Sequence, residues 1–185
     1  MSLLLRAIED SIATTRTLAP LEAPLNRAAA MVSQCLTSGH KLLICGNGGS
    51  AADAQHLVAE LVGRFEKERA PMAGVALTAN SSIVTAIAND YSYDRVFTRQ
   101  VEALGRAGDV AFGISTSGRS PNVEHALLAA KKLGMVTIAL TGRDGGSIGP
   151  IADIHLNVSE GSTPRVQEVH RTVLHAMCSL IERDL

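Results

Sequence analysis

Apolar and polar residues follow two rhythms along this chain. Over residues 3–17, Leu4, Ile8, Ile12 and Ala13 recur on one helical face, and a second helical pattern runs from about Leu21 to Leu36. Pro20 and Pro24 are expected to separate the two. From residue 41 the rhythm changes to short, continuous apolar runs at 41–45, 74–78, 110–115, 135–141 and 153–158. Such runs mark strands buried on both faces. Helical patterns fall between and after them, at 50–62, 81–88, 94–104, 121–133 and 164–183. This alternation predicts right-handed βαβ units, and so a parallel sheet with helices on both sides. The expected fold is α/β, a three-layer αβα sandwich around a five-stranded parallel sheet, preceded by two N-terminal helices over residues 1–40. Those two helices have little to bury by themselves and are expected to pack on the sheet or on a neighbouring subunit.

Two small-residue turns each follow a strand run and open a helical pattern: Cys45-Gly46-Asn47-Gly48-Gly49-Ser50 and Ser115-Thr116-Ser117-Gly118-Arg119-Ser120. Glycines let the backbone approach an anion, and a helix N-terminus presents unpaired N–H groups with a favourable dipole. In open α/β sheets such turns fall outside the carboxyl ends of the strands, where ligands bind. Ser50 stands where an N-cap belongs, with Asp53 three residues on, so a capping box is the plain alternative there. Asn47, Gly48 and Gly49 exceed what a simple turn requires. In the second turn four hydroxyls (Ser115, Thr116, Ser117, Ser120) surround Gly118, and Pro121 suits the first helical position. A neutral hydroxyl-and-amide cradle fits a sugar phosphate. Neither turn has the P-loop or the G-x-G-x-x-G pattern, which argues against triphosphate hydrolysis and dinucleotide binding.

Polar side chains stand out on two of the predicted helices. His56 and Glu60, at i and i+4, share a face, and a His and a carboxylate one turn apart suit a divalent metal or a base beside its orienting partner. The last helix carries Gln167, Glu168, His170 and His175. Gln167 and His175 are two turns apart, offset by roughly 80°, and both border one cavity if the helix runs past its mouth. His170 points elsewhere and reads as structural or as part of a subunit contact. Asn89-Asp90 closes a helix, either as a cap or as a contact for sugar hydroxyls; Asp144-Gly145-Gly146 reads as a turn, and Arg64 as a cation at a helix end or a contact for a phosphate.

Composition narrows the field. With 185 residues, 46% hydrophobic and 19% charged, the chain reads as one folded domain over 1–185. A net charge of −1 provides no basic field for nucleic acid. The three cysteines, Cys35, Cys45 and Cys178, have neither disulfide-framework nor zinc-ribbon spacing. No apolar run approaches the roughly 20 residues that span a bilayer, and no secretory signal pattern opens the chain. A cytoplasmic protein with no membrane partner is expected.

Cys45–Ser50, His56 to Glu60, Ala88-Asn89-Asp90, Gly108-Asp109, Ile114-Ser115-Thr116-Ser117-Gly118, Leu140-Thr141-Gly142 and Val166-Gln167-Glu168-Val169-His170 occur in that order. The ordered set, covering nearly the whole chain, resembles the phosphoheptose isomerases of the sugar isomerase (SIS) fold family. The resemblance implies a flavodoxin-like SIS domain and a homotetramer with active sites where subunits meet. It implies isomerisation of sedoheptulose 7-phosphate to D-glycero-D-manno-heptose 7-phosphate through an enediol, the first step towards bacterial surface heptose such as that of lipopolysaccharide. It also implies one zinc ion per subunit site, held by His56, Glu60, Gln167 and His175. Substrate contacts would come from Asn47, Gly48, Gly49, Ser50, Glu60, Asn89, Asp90, Ser115, Thr116, Ser117, Ser120 and Gln167. Glu60 and His175 are the expected base and acid. Pro164 departs from the polar or acidic residue common at that position and is expected to alter the loop over 159–164. Two rival readings remain: a non-catalytic SIS relative that binds the replication initiator, and an isomerase or sensor for another phosphosugar. The first is expected to lack the carboxylate at position 60 and the imidazole at 175, both present here.

Overall fold

The computed structural model describes residues 2–183. Helix α1 (Leu3–Arg16) begins at Ser2, whose hydroxyl accepts the Leu5 N–H. A 3-10 turn at Ala19–Leu21 leads into α2 (Glu22–Thr37). Pro24 therefore lies inside the first turn of α2, where its missing N–H costs nothing. Only Pro20 marks the break between the two helices.

The alternating pattern follows as expected: β1 (Leu42–Gly46), α3 (Gly49–Val62), β2 (Gly74–Ala76), α4 (Ser81–Asp90), α5 (Thr98–Leu104), β3 (Val110–Ser115), α6 (Pro121–Lys132), β4 (Val136–Gly142), β5 (Ile154–Val158) and α7 (Thr163–Arg183). The expected helix over 94–104 is split into a 3-10 turn at Tyr93–Arg95 and α5. The bend lets Val96, Phe97 and Val101 all turn under the sheet, each at most 2% exposed. Pro164 sits in the first turn of α7 without disturbing the helix start, a position that proline suits.

All strand pairings are parallel, in the order β2-β1-β3-β4-β5. Alternate strand residues feed two separate cores. Leu42, Ile44, Phe112 and Leu140 pack with α2, α3 and α7 on one face. Leu43, Cys45, Ala111 and Ala139 pack with α5 and α6 on the other. Burial on both faces makes the central strands β1 and β3 near-continuous apolar runs, since a polar side chain at either parity would lie in a dry interior, whereas the edge strand β5 places His155 and Asn157 between its buried Ile154, Leu156 and Val158. The sandwich is thus the three-layer αβα fold.

Strand order reverses direction between β1 and β3, the switch point at which open α/β sheets leave a crevice. Both small-residue turns leave the carboxyl ends of these two strands, so distant stretches of sequence meet at one place. Helix α1 packs against α7, with the Arg165 guanidinium donating to the Ala7 carbonyl. The outer face of α1 is apolar and bare: Leu3 is 84%, Leu4 70%, Ile8 44% and Ile12 48% exposed. No described helix is long and apolar enough to cross a membrane.

Candidate active site

The turn after β1 puts Gly48 at φ 56°, ψ −120°, and α3 starts at Gly49 with no side-chain cap. Ser50 is therefore inside the helix, buried at 3% exposure, and the capping box does not form. Asn47 is fixed instead by a carboxamide pair: its Nδ2 donates to Asn122 Oδ1 (2.9 Å) and Asn122 Nδ2 donates to Asn47 Oδ1 (3.0 Å). The Tyr93 hydroxyl also donates to Asn47 Oδ1. Asn122, in the first turn of α6, locks the two small-residue turns together, and nothing in the sequence singled it out.

The turn after β3 is a cluster of hydroxyls. Ser115 Oγ lies 2.9 Å from Ser120 Oγ and 3.4 Å from Ser117 Oγ, and the Arg119 N–H donates to Ser117 Oγ. Helix α6 also starts without a side-chain cap, with Pro121 in its first turn. Two helix starts left open by their own side chains, at adjacent strands, are an arrangement of the kind that suits an anion. Gly118 at φ 65° is indispensable here: a Cβ would stand 2.2 Å from the Gly145 carbonyl oxygen. Asp144, read as part of a plain turn, has a second task. Its carboxylate grips the Arg119 guanidinium at 2.9 and 2.6 Å, clamping the β4 loop onto the hydroxyl cluster, and this pair holds the Asp144 carboxyl at about 2.

Helices α3 and α7 run side by side in the same direction and meet through a ladder of polar contacts. Gln167 lies against Gly49, where a Cβ would come within 2.3 Å of its Nε2. One rung on, Arg171 Nε and Nη2 both donate to Asp53 Oδ1, at 3.0 and 2.7 Å. Next, His56 Nε2 lies 2.8 Å from His175 Nε2 and 3.3 Å from Glu60 Oε1. A cavity of about 470 Å³ lined by Gly49, Ala52, Asp53, Gln167, Glu168 and Arg171 opens over the first two rungs.

One ligand atom from each of His56, Glu60 and His175 falls within 4.8 Å of the others. Burial, and after it the Arg171 charge, hold the His56 imidazole below its ordinary range against the pull of Glu60. That favours a neutral ring with a free lone pair. Phe65 lies beside His175, with ring centroids 5.6 Å apart. Two imidazole nitrogens and a carboxylate oxygen are the donors of a three-ligand zinc site that keeps a fourth position open. The residues present fit such an ion.

Below the cluster the carboxylate of Glu182 accepts the N–H groups of Phe65, Glu66 and Lys67 and pairs with Arg69 Nε at 3.1 Å. Burial would push this carboxyl up, but the three N–H donors and the Arg69 charge overcome it and hold it at about 2. Its ordinary value is 4.5, so the stabilisation is complete above that pH and is lost as pH falls from 4.5 towards about 2. Urea unfolding at pH 7 and at pH 3 is expected to show this loss in the natural chain, with a smaller loss in Glu182→Gln.

Other predicted site residues fall apart from the cluster. Gln167 is two helical turns before His175, about 12 Å along α7. Asn89 and Asp90 end α4 on the surface, with Asn89 Nδ2 donating to Asp90. Glu168 pairs with Arg165, and Arg64 with Glu68. His170 is fully buried, its Nε2 against the Thr141 carbonyl, as a structural residue should be.

The architecture has close counterparts. The SIS domain family model matches residues 8–142. A phosphoheptose isomerase from Aliarcobacter butzleri is 50% identical over 182 residues, 96% of either chain. A probable phosphoheptose isomerase from Thermoplasma acidophilum is 58% identical over 82% of this chain and 83% of its own length. The solved phosphoheptose isomerase of Neisseria gonorrhoeae superimposes with a TM-score of 0.92 at 48% identity, covering 97% of each chain. That of Francisella tularensis does so at 0.91 and 34% identity, over 99% of this chain and all of its own. The chain belongs to the SIS family and, within it, to the phosphoheptose isomerases, enzymes of the aldose–ketose isomerase class.

Proposed function

We propose that the chain interconverts sedoheptulose 7-phosphate and D-glycero-D-manno-heptose 7-phosphate at the crevice between β1 and β3. The observation that supports this most is the convergence of Glu60 and His175 on the helix that the first turn launches and the helix packed against it. The 115–120 hydroxyl turn grips the phosphate, while Asn47, Gly48, Gly49 and Ser50 line the sugar. Isomerisation moves a proton between adjacent carbons through an enediol, which needs a base, an acid and stabilisation of negative charge on oxygen. Glu60 takes the proton from the hydroxyl-bearing carbon while His175 gives one to the neighbouring carbonyl oxygen, forming the enediol; Glu60 then returns its proton to that neighbouring carbon and His175 takes the proton of the first hydroxyl, leaving the new carbonyl. No feature of the site favours the rival readings, an initiator-binding protein or a sensor.

His56, Glu60 and His175 would hold a zinc ion; the resemblance adds Gln167 as a fourth donor, whose amide in this chain lies against Gly49, two turns of α7 before His175. A bound zinc supplies Lewis-acid polarisation of the substrate oxygens. Ligation of a metal makes a carboxylate a weaker base, so the two duties of Glu60 belong to different states of the site or to a partly occupied one. Incubation of purified protein with sedoheptulose 7-phosphate, with the aldose product followed by chromatography, tests the proposal. Absence of product with and without added zinc overturns it.

We also propose that a homotetramer completes the site. The bare apolar stripe of α1 supports assembly, and Asn89 and Asp90, exposed and far along the chain from both turns, are free to serve a neighbouring subunit. Ile8→Asp, on that stripe, is expected to shift the protein to smaller species in light scattering and to lower activity at least tenfold at assay concentrations, by about 1.4 kcal/mol or more of assembly free energy. An unchanged mass with Ile8→Asp removes α1 from the interface.

A further inference from the structure

Arg69 and Glu182 lie outside the His56/Glu60/His175 cluster yet touch both helices that carry it. Glu182 is on α7, two turns beyond His175 and so on nearly the same face, about 10 Å along the axis. Arg69 reaches the other helix: Nη2 donates to the Glu60 carbonyl at 2.6 Å and Nη1 to the Leu61 carbonyl at 2.8 Å. These are among the last carbonyls of α3, where a cation is favoured. The same guanidinium donates through Nε to Glu182 Oε1. A single side chain thus joins the C-terminal end of α3 to α7 directly below the converging donors.

The other end of the knot bears on the cluster as well. By accepting the N–H groups of residues 65–67, the Glu182 carboxylate fixes the segment from which Phe65 reaches the His175 ring. Lys67 Nζ adds a bond to the Glu182 carbonyl at 2.7 Å. The Arg69 and Glu182 side chains are only 10% and 4% exposed. Burying an ion pair is a poor way to gain stability, because desolvation cancels most of the attraction. It does fix a distance, because several charge-assisted bonds of defined length must be satisfied together.

We propose that Arg69 and Glu182 are positioning residues that hold α3 and α7 at the separation at which His56, Glu60 and His175 converge on a metal ion. The inference rests on reading that cluster as a metal site. The knot acts at two points, the backbone of Glu60 and the ring of His175 through Phe65.

The test compares Glu182→Gln with Val101→Ala, a core truncation on the opposite face of the sheet. Zinc affinity is read by competition with a chromophoric chelator on metal-stripped, refilled protein, alongside thermal midpoints and steady-state kinetics. Glu182→Gln is expected to weaken zinc binding about tenfold, as losses of outer-sphere support do, and to lower kcat with KM nearly unchanged. Val101→Ala is expected to lower the thermal midpoint but keep the zinc affinity of the natural chain. Arg69→Lys, which keeps the charge but places its donors on a single nitrogen that cannot span Glu182 and both carbonyls as the guanidinium fork does, provides the same reading if Glu182→Gln does not fold. Natural zinc affinity in the folded knot variant, or an equal loss in Val101→Ala, overturns the positioning role. Unchanged zinc affinity in His56→Ala overturns the metal reading itself, and is thereby distinguished from a failure of the knot alone.

Discussion

Glu60→Gln is expected to lower kcat about a thousandfold, the middle of the range for removing a general base, with KM for sedoheptulose 7-phosphate changed little. The substitution is nearly isosteric. It keeps an oxygen facing His56 but removes the charge that accepts a proton. The phosphate grip proposed for the other turn would use the Ser115, Ser117 and Ser120 hydroxyls, which Glu60 does not touch. Because the Glu60 side chain is 21% exposed and pairs with His56 across 3.3 Å, its loss should change stability by under about 1 kcal/mol. Circular dichroism and steady-state kinetics check both halves. His175→Ala should fall by a similar factor, and the double variant little further, since residues acting as one unit are not additive. Activity above a tenth of natural in Glu60→Gln removes it as the base.

Gly118→Ala is expected to be among the most damaging single-methyl additions at the described glycines. The position has φ 65°, and the added Cβ would meet the Gly145 carbonyl oxygen at 2.2 Å and the Gly146 nitrogen at 2.7 Å. Strain in the left-handed region and overpacking each cost about 1–3 kcal/mol. The obstacle is backbone, which cannot swing aside as a flexible side chain would. Relief requires separating the 115–120 turn from the β4 loop, which breaks the Arg119–Asp144 clamp and the bond from the Ile148 N–H to the Gly118 carbonyl. Unfolding in urea should show a loss of roughly 3 kcal/mol, and KM should rise more than tenfold as the hydroxyls lose their common aim. Gly161→Ala, with nothing within 4 Å of the new methyl, is the matched control and should be neutral in both measurements.

The layers were legible in the chain because strands buried on both faces have no polar parity, and the runs at 41–45 and 110–115 fall within one residue of β1 and β3. The bend before α5 was not, because Val96 and Phe97 fit a helical face as well as they fit a turn. His56 and Glu60 announced themselves through i, i+4 spacing inside one helix. Their partners on α7 depend on how two helices pack, which local periodicity does not encode. Asp53 and Arg171 illustrate the limit: each sits one turn before a cluster histidine, a signal visible only once α3 and α7 are known to run in parallel. Glu182 and Asn122 carried no signal, since a lone acid near a helix end and an asparagine in a first turn are commonplace. Ser50 misled because its spacing to Asp53 imitates a capping box, while Gly48 had already turned the chain into the helix.

The three cysteines bear on how this protein can be handled. Cys35, Cys45 and Cys178 are all buried and unpaired, and burial pushes their thiols up to about 11, 12 and 12. At neutral pH almost no thiolate exists to be alkylated or oxidised while the fold is intact. One cysteine introduced at an exposed site such as Gly161 would be the sole reactive thiol of the folded chain. A fluorophore or spin label can then be attached beside the start of α7 without first removing the native sulfurs, and delayed labelling of the other three becomes a clock for global unfolding.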